Sequence, residues 1–172
     1  MIDRRFAVTV LAGLGWLGLP KWLGLSSQAG AAEKSATGSF EIVKSPEEWK
    51  KRLTPEQYYI LREAGTERPY SSQLNNEKRK GIFACAGCDL PLFSSETKFE
   101  SGTGWPSFYQ AMSNAVLERS DTSYMMVRTE TLCQRCGGHL GHVFHDGPKP
   151  TGLRYCMNGL ALSFKPAIAS AT

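Results

Sequence analysis

The sequence is short of net charge, of cysteine and of histidine, and each shortage excludes something. Its 172 residues carry a formal net charge of +4. Asp3, Arg4, Arg5 and Lys21 supply +2 of that within the first 31 residues, leaving +2 for the remainder. So weak a balance does not mark a nucleic-acid binder. No run of like charges forms a tail, and the mixed stretch Glu77-Lys78-Arg79-Lys80 reads as a solvated turn. There is no low-complexity segment and no internal repeat beyond a doubled C-x-x-C. With only 5 cysteines and 3 histidines, thiol or imidazole chemistry has few places to sit.

The N-terminal apolar run reads as an address. Arg4 and Arg5 precede Phe6 and an apolar stretch to Leu19, and a small-residue segment then leads to Ala29-Gly30-Ala31. A charged start, an apolar middle and small residues at a cut form a secretory signal. The paired arginines suggest the twin-arginine type, which places the mature protein in a bacterial periplasm. The competing reading is an uncleaved anchor facing the periplasm. It would run from Phe6 to Leu25, since a span needs about 20 apolar residues. Pro20 and Lys21 interrupt that span. The expected organisation is a cleaved signal over residues 1–31, with no stable membrane anchor after processing. A linker follows over 32–44, then one domain over 45–166 and a tail over 167–172.

Ser45-Pro46-Glu47-Glu48 and Thr54-Pro55-Glu56-Gln57 both have the chemistry of a helix start: a capping hydroxyl, proline at the first helical position, and Glu or Gln three residues on. The second helix is expected to run to Ala64 and stop at Gly65. Short runs rich in β-formers follow at residues 82–84, 116–119, 124–132, 142–144 and 160–164. Asp121 and Ser123 suggest a hairpin between two of them. The pattern predicts a mainly β domain behind two short helices.

Cys85-Ala86-Gly87-Cys88 and Cys133-Gln134-Arg135-Cys136 are two C-x-x-C pairs. Each can place two thiolates on one turn, and together they make a closed tetrahedral four-sulfur site, for which zinc is the best fit. A closed site has no open coordination position, so its role is structural. Disulfides compete with this reading in an exported protein. Neither pair, however, opens the helical pattern that a redox C-x-x-C usually does.

That leaves Cys156. A buried structural cysteine is one reading. Arg154 and Asn158, each two residues away, and the pair His139 and His142 support another, a thiolate nucleophile next to a cation or an imidazole. His139 and His142 are also candidate metal ligands, because they closely follow Cys136. Trp105 sits in the rigid loop Gly102-Thr103-Gly104-Trp105-Pro106-Ser107-Phe108, where it can wall a small apolar pocket.

Taken together, Cys85/Cys88, Ser101-Gly102-Thr103-Gly104-Trp105-Pro106-Ser107-Phe108, Cys133/Cys136, His139-Leu140-Gly141-His142-Val143-Phe144 and Arg154-Tyr155-Cys156-x-Asn158 resemble the B-type peptide methionine-R-sulfoxide reductases. The resemblance runs from about Ser45 to Lys165. It implies two antiparallel sheets with short N-terminal helices, stapled by a four-cysteine zinc site. It implies reduction of methionine-R-sulfoxide, mainly in oxidised proteins. Cys156 would attack the sulfoxide sulfur and become a sulfenic acid. His139, His142 and Asn158 would position, protonate or stabilise the oxygen, Arg154 would help hold the thiolate, and Trp105 and Phe108 would contact the substrate. Two departures stand out. Thr103 occupies a position where many members carry a resolving cysteine, which points to an external thiol or thioredoxin-like reductant. His145 stands where an acidic residue is frequent, and carries no assigned role. A non-enzymatic zinc-clipped binding module is the rival class.

Overall fold

Two capping boxes fix the starts of two short helices. The computed structural model describes residues 40–168, so the expected signal, most of the linker and the end of the tail lie outside the described residues. Helix α1 spans Pro46–Arg52, and α2 spans Pro55–Glu63. Ser45 Oγ accepts from the Glu48 N–H at 3.2 Å, and Glu48 Oε2 accepts from the Ser45 N–H at 2.8 Å. Thr54 and Gln57 exchange the same two bonds at 3.2 Å each. Proline at each first position costs no hydrogen bond, because that N–H has no partner within the helix. Helix α2 ends differently from expectation. Ala64, not Gly65, takes the left-handed conformation, with φ 53° and ψ 37°. Gly65 is needed for space, since a Cβ there would lie 2.2 Å from the Tyr59 ring. Among the described residues, no helix is long and apolar enough to cross a membrane.

Two antiparallel sheets follow. The three-stranded sheet has the order β2-β1-β9, with β1 Gly81–Cys85, β2 Pro91–Ser94 and β9 Leu162–Pro166. The six-stranded sheet has the order β3-β4-β8-β7-β6-β5. Its strands are β3 Lys98–Phe99, β4 Ser107–Phe108, β5 Val116–Asp121, β6 Arg128–Cys133, β7 His139–Phe144 and β8 Arg154–Met157. The core lies between the sheets. Phe93 of the small sheet stacks on Phe108 of the large one at 4.4 Å, and Phe83 meets Phe108 edge-on at 4.9 Å. Such aromatic pairs add roughly 0.5–1.5 kcal/mol each beyond the area they bury. Trp49, Ile60 and Leu61 bring the two helices into the same core.

Three expectations change. The run over 124–132 is a strand only from Arg128, because Asp121 Oδ1 accepts the Ser123 N–H at 2.9 Å and winds Ser123–Met125 into a 3₁₀ turn. The run over 160–164 starts as a 3₁₀ turn, Gly159–Ala161, and becomes strand at Leu162. Residues 40–42, expected as linker, are bound to the turn of the second C-x-x-C. The Ile42 N–H donates to the Arg135 carbonyl at 3.0 Å, Glu41 faces Arg135 at 3.5 Å, and the Phe40 ring covers Gly137.

Strands β7 and β8 approach most closely at Gly141, opposite Met157. A Cβ there would fall 2.1 Å from the Cys156 carbonyl oxygen. Gly141→Ala should therefore lower stability by about 3 kcal/mol, the scale of a backbone-level clash. A urea midpoint equal to that of the wild type would contradict this.

Candidate active site

Cys85 closes β1 in the small sheet and Cys133 closes β6 in the large one, and each has its pair partner in the turn that follows. All 4 sulfurs lie within 4.8 Å of one another, and all 4 residues are buried. Cys85 Sγ is 3.8 Å from Cys136 Sγ, and Cys88 Sγ is 3.5 Å from Cys133 Sγ. Tetrahedral bonds of about 2.3 Å to zinc would separate the sulfurs by about 3.8 Å. The spacing fits a metal, and all five cysteines are free thiols rather than disulfides. Arginines hold the turns: Arg52 Nε donates to the Gly87 carbonyl at 2.6 Å, and Arg62 Nη1 to that of Cys136 at 3.0 Å. The cluster thus joins the two sheets at a point that α1 and α2 cover.

Cys156 lies on β8, where side chains alternate. Tyr155 and Met157 point into the core, while Arg154 and Cys156 are only part-buried. Strand pairing sets Cys156 opposite Ser107 of β4 and His142 of β7. Burial pushes the Cys156 thiol up from the ordinary cysteine value, while the Thr103 hydroxyl and the Arg154 charge pull it down. Thr103 Oγ1 is 3.8 Å from Cys156 Sγ and heads a hydroxyl chain through Ser101 to Ser107, with links of 2.8 and 2.7 Å. Arg154 is itself fixed. Asp146 receives its guanidinium through two bonds of 2.8 Å, and the guanidinium stacks over Phe144 at 4.4 Å.

Each histidine is held by a carboxylate that an arginine backs. His139 Nδ1 lies 2.7 Å from Glu130 Oε1, and Arg119 donates to Glu130 Oε2 at 3.0 and 2.7 Å. His142 Nε2 lies 2.7 Å from Asp121 Oδ2, and Arg128 donates to the same oxygen at 2.7 Å. Burial pushes Glu130 up, but His139 and Arg119 outweigh it and hold the carboxyl below its ordinary value. Ser123 and His142 together hold Asp121 well below the usual carboxylate range. Burial lowers the His142 pKa, and the bond to Asp121 acts against it. With Glu130 ionised, His139 Nδ1–H donates to it. His139 Nε2 is then a buried ring nitrogen with no hydrogen-bond partner among the described residues.

Cys156 opens into a small pocket of about 130 Å³ whose walls include Trp105, Phe144, His142 and Thr66. His142, Thr66 and Arg128 also border a polar cleft of about 440 Å³ that His139 and Glu130 line. Another cavity, of about 510 Å³, lies against α2 between Tyr59 and Leu160 and is lined by neither cysteine nor histidine.

The structure therefore brings Cys156, His142, Trp105 and Asn158 to one pocket, with His139 in the adjoining cleft and Arg154 beside the thiol. One expectation is corrected. Phe108 does not face the pocket; it is 0% exposed and stacked in the inter-sheet core. The Asn158 amide, at the pocket, is anchored on backbone groups: Oδ1 accepts the Glu67 N–H at 3.0 Å and Nδ2 donates one of its two N–H groups to the Leu140 carbonyl at 3.2 Å. His145 is exposed and borders neither space. Thr66, Glu67, Glu130, Asp121 and Arg128 were not picked out by motif reading. The sequence around each is polar and unexceptional, and only strand pairing and loop closure bring them to the site.

Since Arg154 lowers the Cys156 pKa and burial raises it, alkylation by iodoacetamide should rise with pH through a midpoint above that of a free cysteine. Arg154→Leu should move the midpoint higher and slow alkylation near neutral pH by roughly threefold, because fewer thiols are then ionised. An unchanged profile, with the label mapped to Cys156, would show that the guanidinium charge is not felt there.

Comparison with known proteins places this geometry. Residues 53–166 match the SelR domain. A peptide methionine sulfoxide reductase MsrB from Methanosarcina barkeri is 62% identical over 125 residues, covering 72% of this chain and 88% of the relative. The MsrB of Leptospira interrogans is 56% identical over 128 residues, covering 74% and 98%. That of Pseudomonas putida strain W619 is 57% identical over 127 residues, covering 73% and 96%. A thiol in a small pocket beside carboxylate-held histidines, with a metal-binding cysteine cluster joining the sheets, occurs here in a chain that belongs to the SelR-domain family of peptide methionine sulfoxide reductases.

Proposed function

We propose that the protein reduces the R epimer of methionine sulfoxide, mainly in oxidised proteins, with Cys156 as the nucleophile. The observation that carries the reading is Cys156 in a pocket of about 130 Å³ walled by Trp105 and Phe144, with His142 directly across the strand pair. That volume suits the end of one side chain. The methyl group packs against the Trp105 ring, and the sulfoxide lies between the thiol and His142.

The Cys156 thiolate supplies two electrons to the sulfoxide sulfur, and the oxygen ends on Cys156. The products are methionine and a sulfenic acid. The proton that the oxygen needs comes from the imidazole pair, His142 at the pocket and His139 in the adjoining cleft. Asp121 and Glu130 orient the rings and stabilise either one when it is charged. Asn158 acts by position, tying β8 to β7 and to residue 67. Thr103 stands nearest the thiol where a resolving cysteine would be needed, and the other four cysteines are taken up by the cluster. An external thiol, such as a thioredoxin-like protein, therefore attacks the sulfenic acid. Water leaves, a mixed disulfide forms, and a second thiol releases Cys156.

The metal in the cluster is zinc, held by Cys85, Cys88, Cys133 and Cys136 and structural in role. Arg4-Arg5, the apolar run and Ala29-Gly30-Ala31 support export with cleavage near residue 31, and action in the periplasm.

Wild type with dithiothreitol should reduce the R epimer and leave the S epimer, and Cys156→Ser should be inactive. Equal activity in the serine variant would overturn the assignment. After one turnover without reductant, dimedone should label Cys156 once per chain. Thr103→Cys places a thiol where an oxygen now sits 3.8 Å from Cys156 Sγ. That variant should lose the dimedone label and gain a disulfide between positions 103 and 156. For the metal, elemental analysis should find about one zinc per chain, and its removal by a chelator should unfold the domain. A folded, metal-free protein would refute the structural role.

A further inference from the structure

Glu67 is 8% exposed, and none of the ion pairs among the described residues includes it. Each of its polar groups is nevertheless used. Oε1 accepts the Gly159 N–H at 2.5 Å, and Oε2 accepts the Leu160 N–H at 3.0 Å. Its own N–H donates to Asn158 Oδ1 at 3.0 Å, and its carbonyl accepts the Trp105 indole N–H at 3.2 Å. The partners come from two distant stretches of chain, the Trp105 loop and the turn that follows β8. Gly159 suits this closeness, because a Cβ there would collide with Ser72 and sit 3.2 Å from Glu67 Oε1.

A buried carboxylate without a cation is a poor device for stability alone. Apolar side chains of similar volume usually serve a core as well or better. What Glu67 adds is geometry. The carboxylate fixes the backbone just beyond Cys156 and Asn158, while the backbone of the same residue fixes the tryptophan on the facing wall. Neighbouring Thr66 lines the pocket that these two walls enclose.

We propose that Glu67 is a positioning and specificity residue: it sets the gap between Trp105 and the Cys156 strand and so limits the pocket to a methyl sulfoxide. The inference rests on the reductase reading above. If it holds, loosening Glu67 impairs the small substrate and relaxes discrimination against a larger one. Glutamine at position 67 keeps one acceptor but turns an amide N–H toward a backbone N–H, so one of the two bonds to residues 159 and 160 is lost.

The test uses the full-length, metal-loaded chain with peptides carrying methionine-R-sulfoxide or its ethionine counterpart, one methylene larger. In Glu67→Gln, kcat/KM for the methionine peptide should fall roughly tenfold, which corresponds to about 1.4 kcal/mol. For the ethionine peptide it should fall by no more than about threefold, so the preference narrows; one methylene is worth roughly 10–200-fold at most in a fitted pocket. Glu67→Asp should lie between. Metal content and the rate of Cys156 alkylation should match the wild type. Equal losses on both peptides, or no loss, would overturn the proposal. Amide exchange in the wild type decides it without a variant. The Trp105 indole N–H and the Gly159 and Leu160 amides should be protected together, and free exchange at the indole would refute the clamp. A wild type inactive on both sulfoxides would instead remove the functional reading, and exchange would still report on the clamp.

Discussion

The antiparallel pairing of β7 with β8 sets His142 opposite Cys156 and Phe144 opposite Arg154. A slip of one residue would exchange every inward side chain for an outward one. Tyr155 and Met157 would leave the core, and the thiol would enter it. The register is therefore held by burial on one face while chemistry occupies the other. Gly141 lets the two backbones approach closely enough for that pairing at the site itself. Each remaining site feature, from the carboxylate-held histidines to the arginine beside the thiol, is placed relative to these two strands.

The electrostatics follow the same division. Cys156 must be sheltered enough to exclude water yet still ionise, and the two demands oppose each other. Burial is the larger effect on its pKa, with Thr103 and Arg154 acting against it. Arg154 can do this only because Asp146 and Phe144 keep it in place. His139 and His142 are treated alike: each is partly or fully buried, and each has a carboxylate oxygen at 2.7 Å. Cys156, His139 and His142 are thus each held by a fixed polar or charged neighbour.

The legible parts of this molecule were those whose chemistry is local. Ser45, Thr54 and their partners three residues on announce helix starts because the bonds that make them helix starts span three residues. Two C-x-x-C pairs announce a metal cluster because ligand spacing is itself the signal. Cys156 stood out as the fifth thiol, and its neighbours Arg154 and Asn158 as residues on one strand. The family resemblance then supplied the substrate, and the SelR match agrees with it. What the sequence hid depends on distant pairing. Strand β4 is 2 residues long and exists because β3 and β8 flank it. Phe108 reads as a loop aromatic beside Trp105, yet alternation on that strand turns it into the core. Asn158 lines the pocket, but its amide also bonds Glu67 and Leu140, and no local pattern reveals those anchors. Ala64 takes the left-handed conformation that glycine usually holds, and Gly65 instead sits against the Tyr59 ring.

The position of β8 between β4 and β7 also bears on how the chain assembles as it is made. Synthesis proceeds from the N-terminus, so the strands become available in chain order. Cys85, Cys88, Cys133 and Cys136 all emerge before Cys156. Strand β8 then arrives as the last strand of its sheet and inserts between two that precede it. The strand that carries the reactive sulfur thus follows both of its neighbours along the chain.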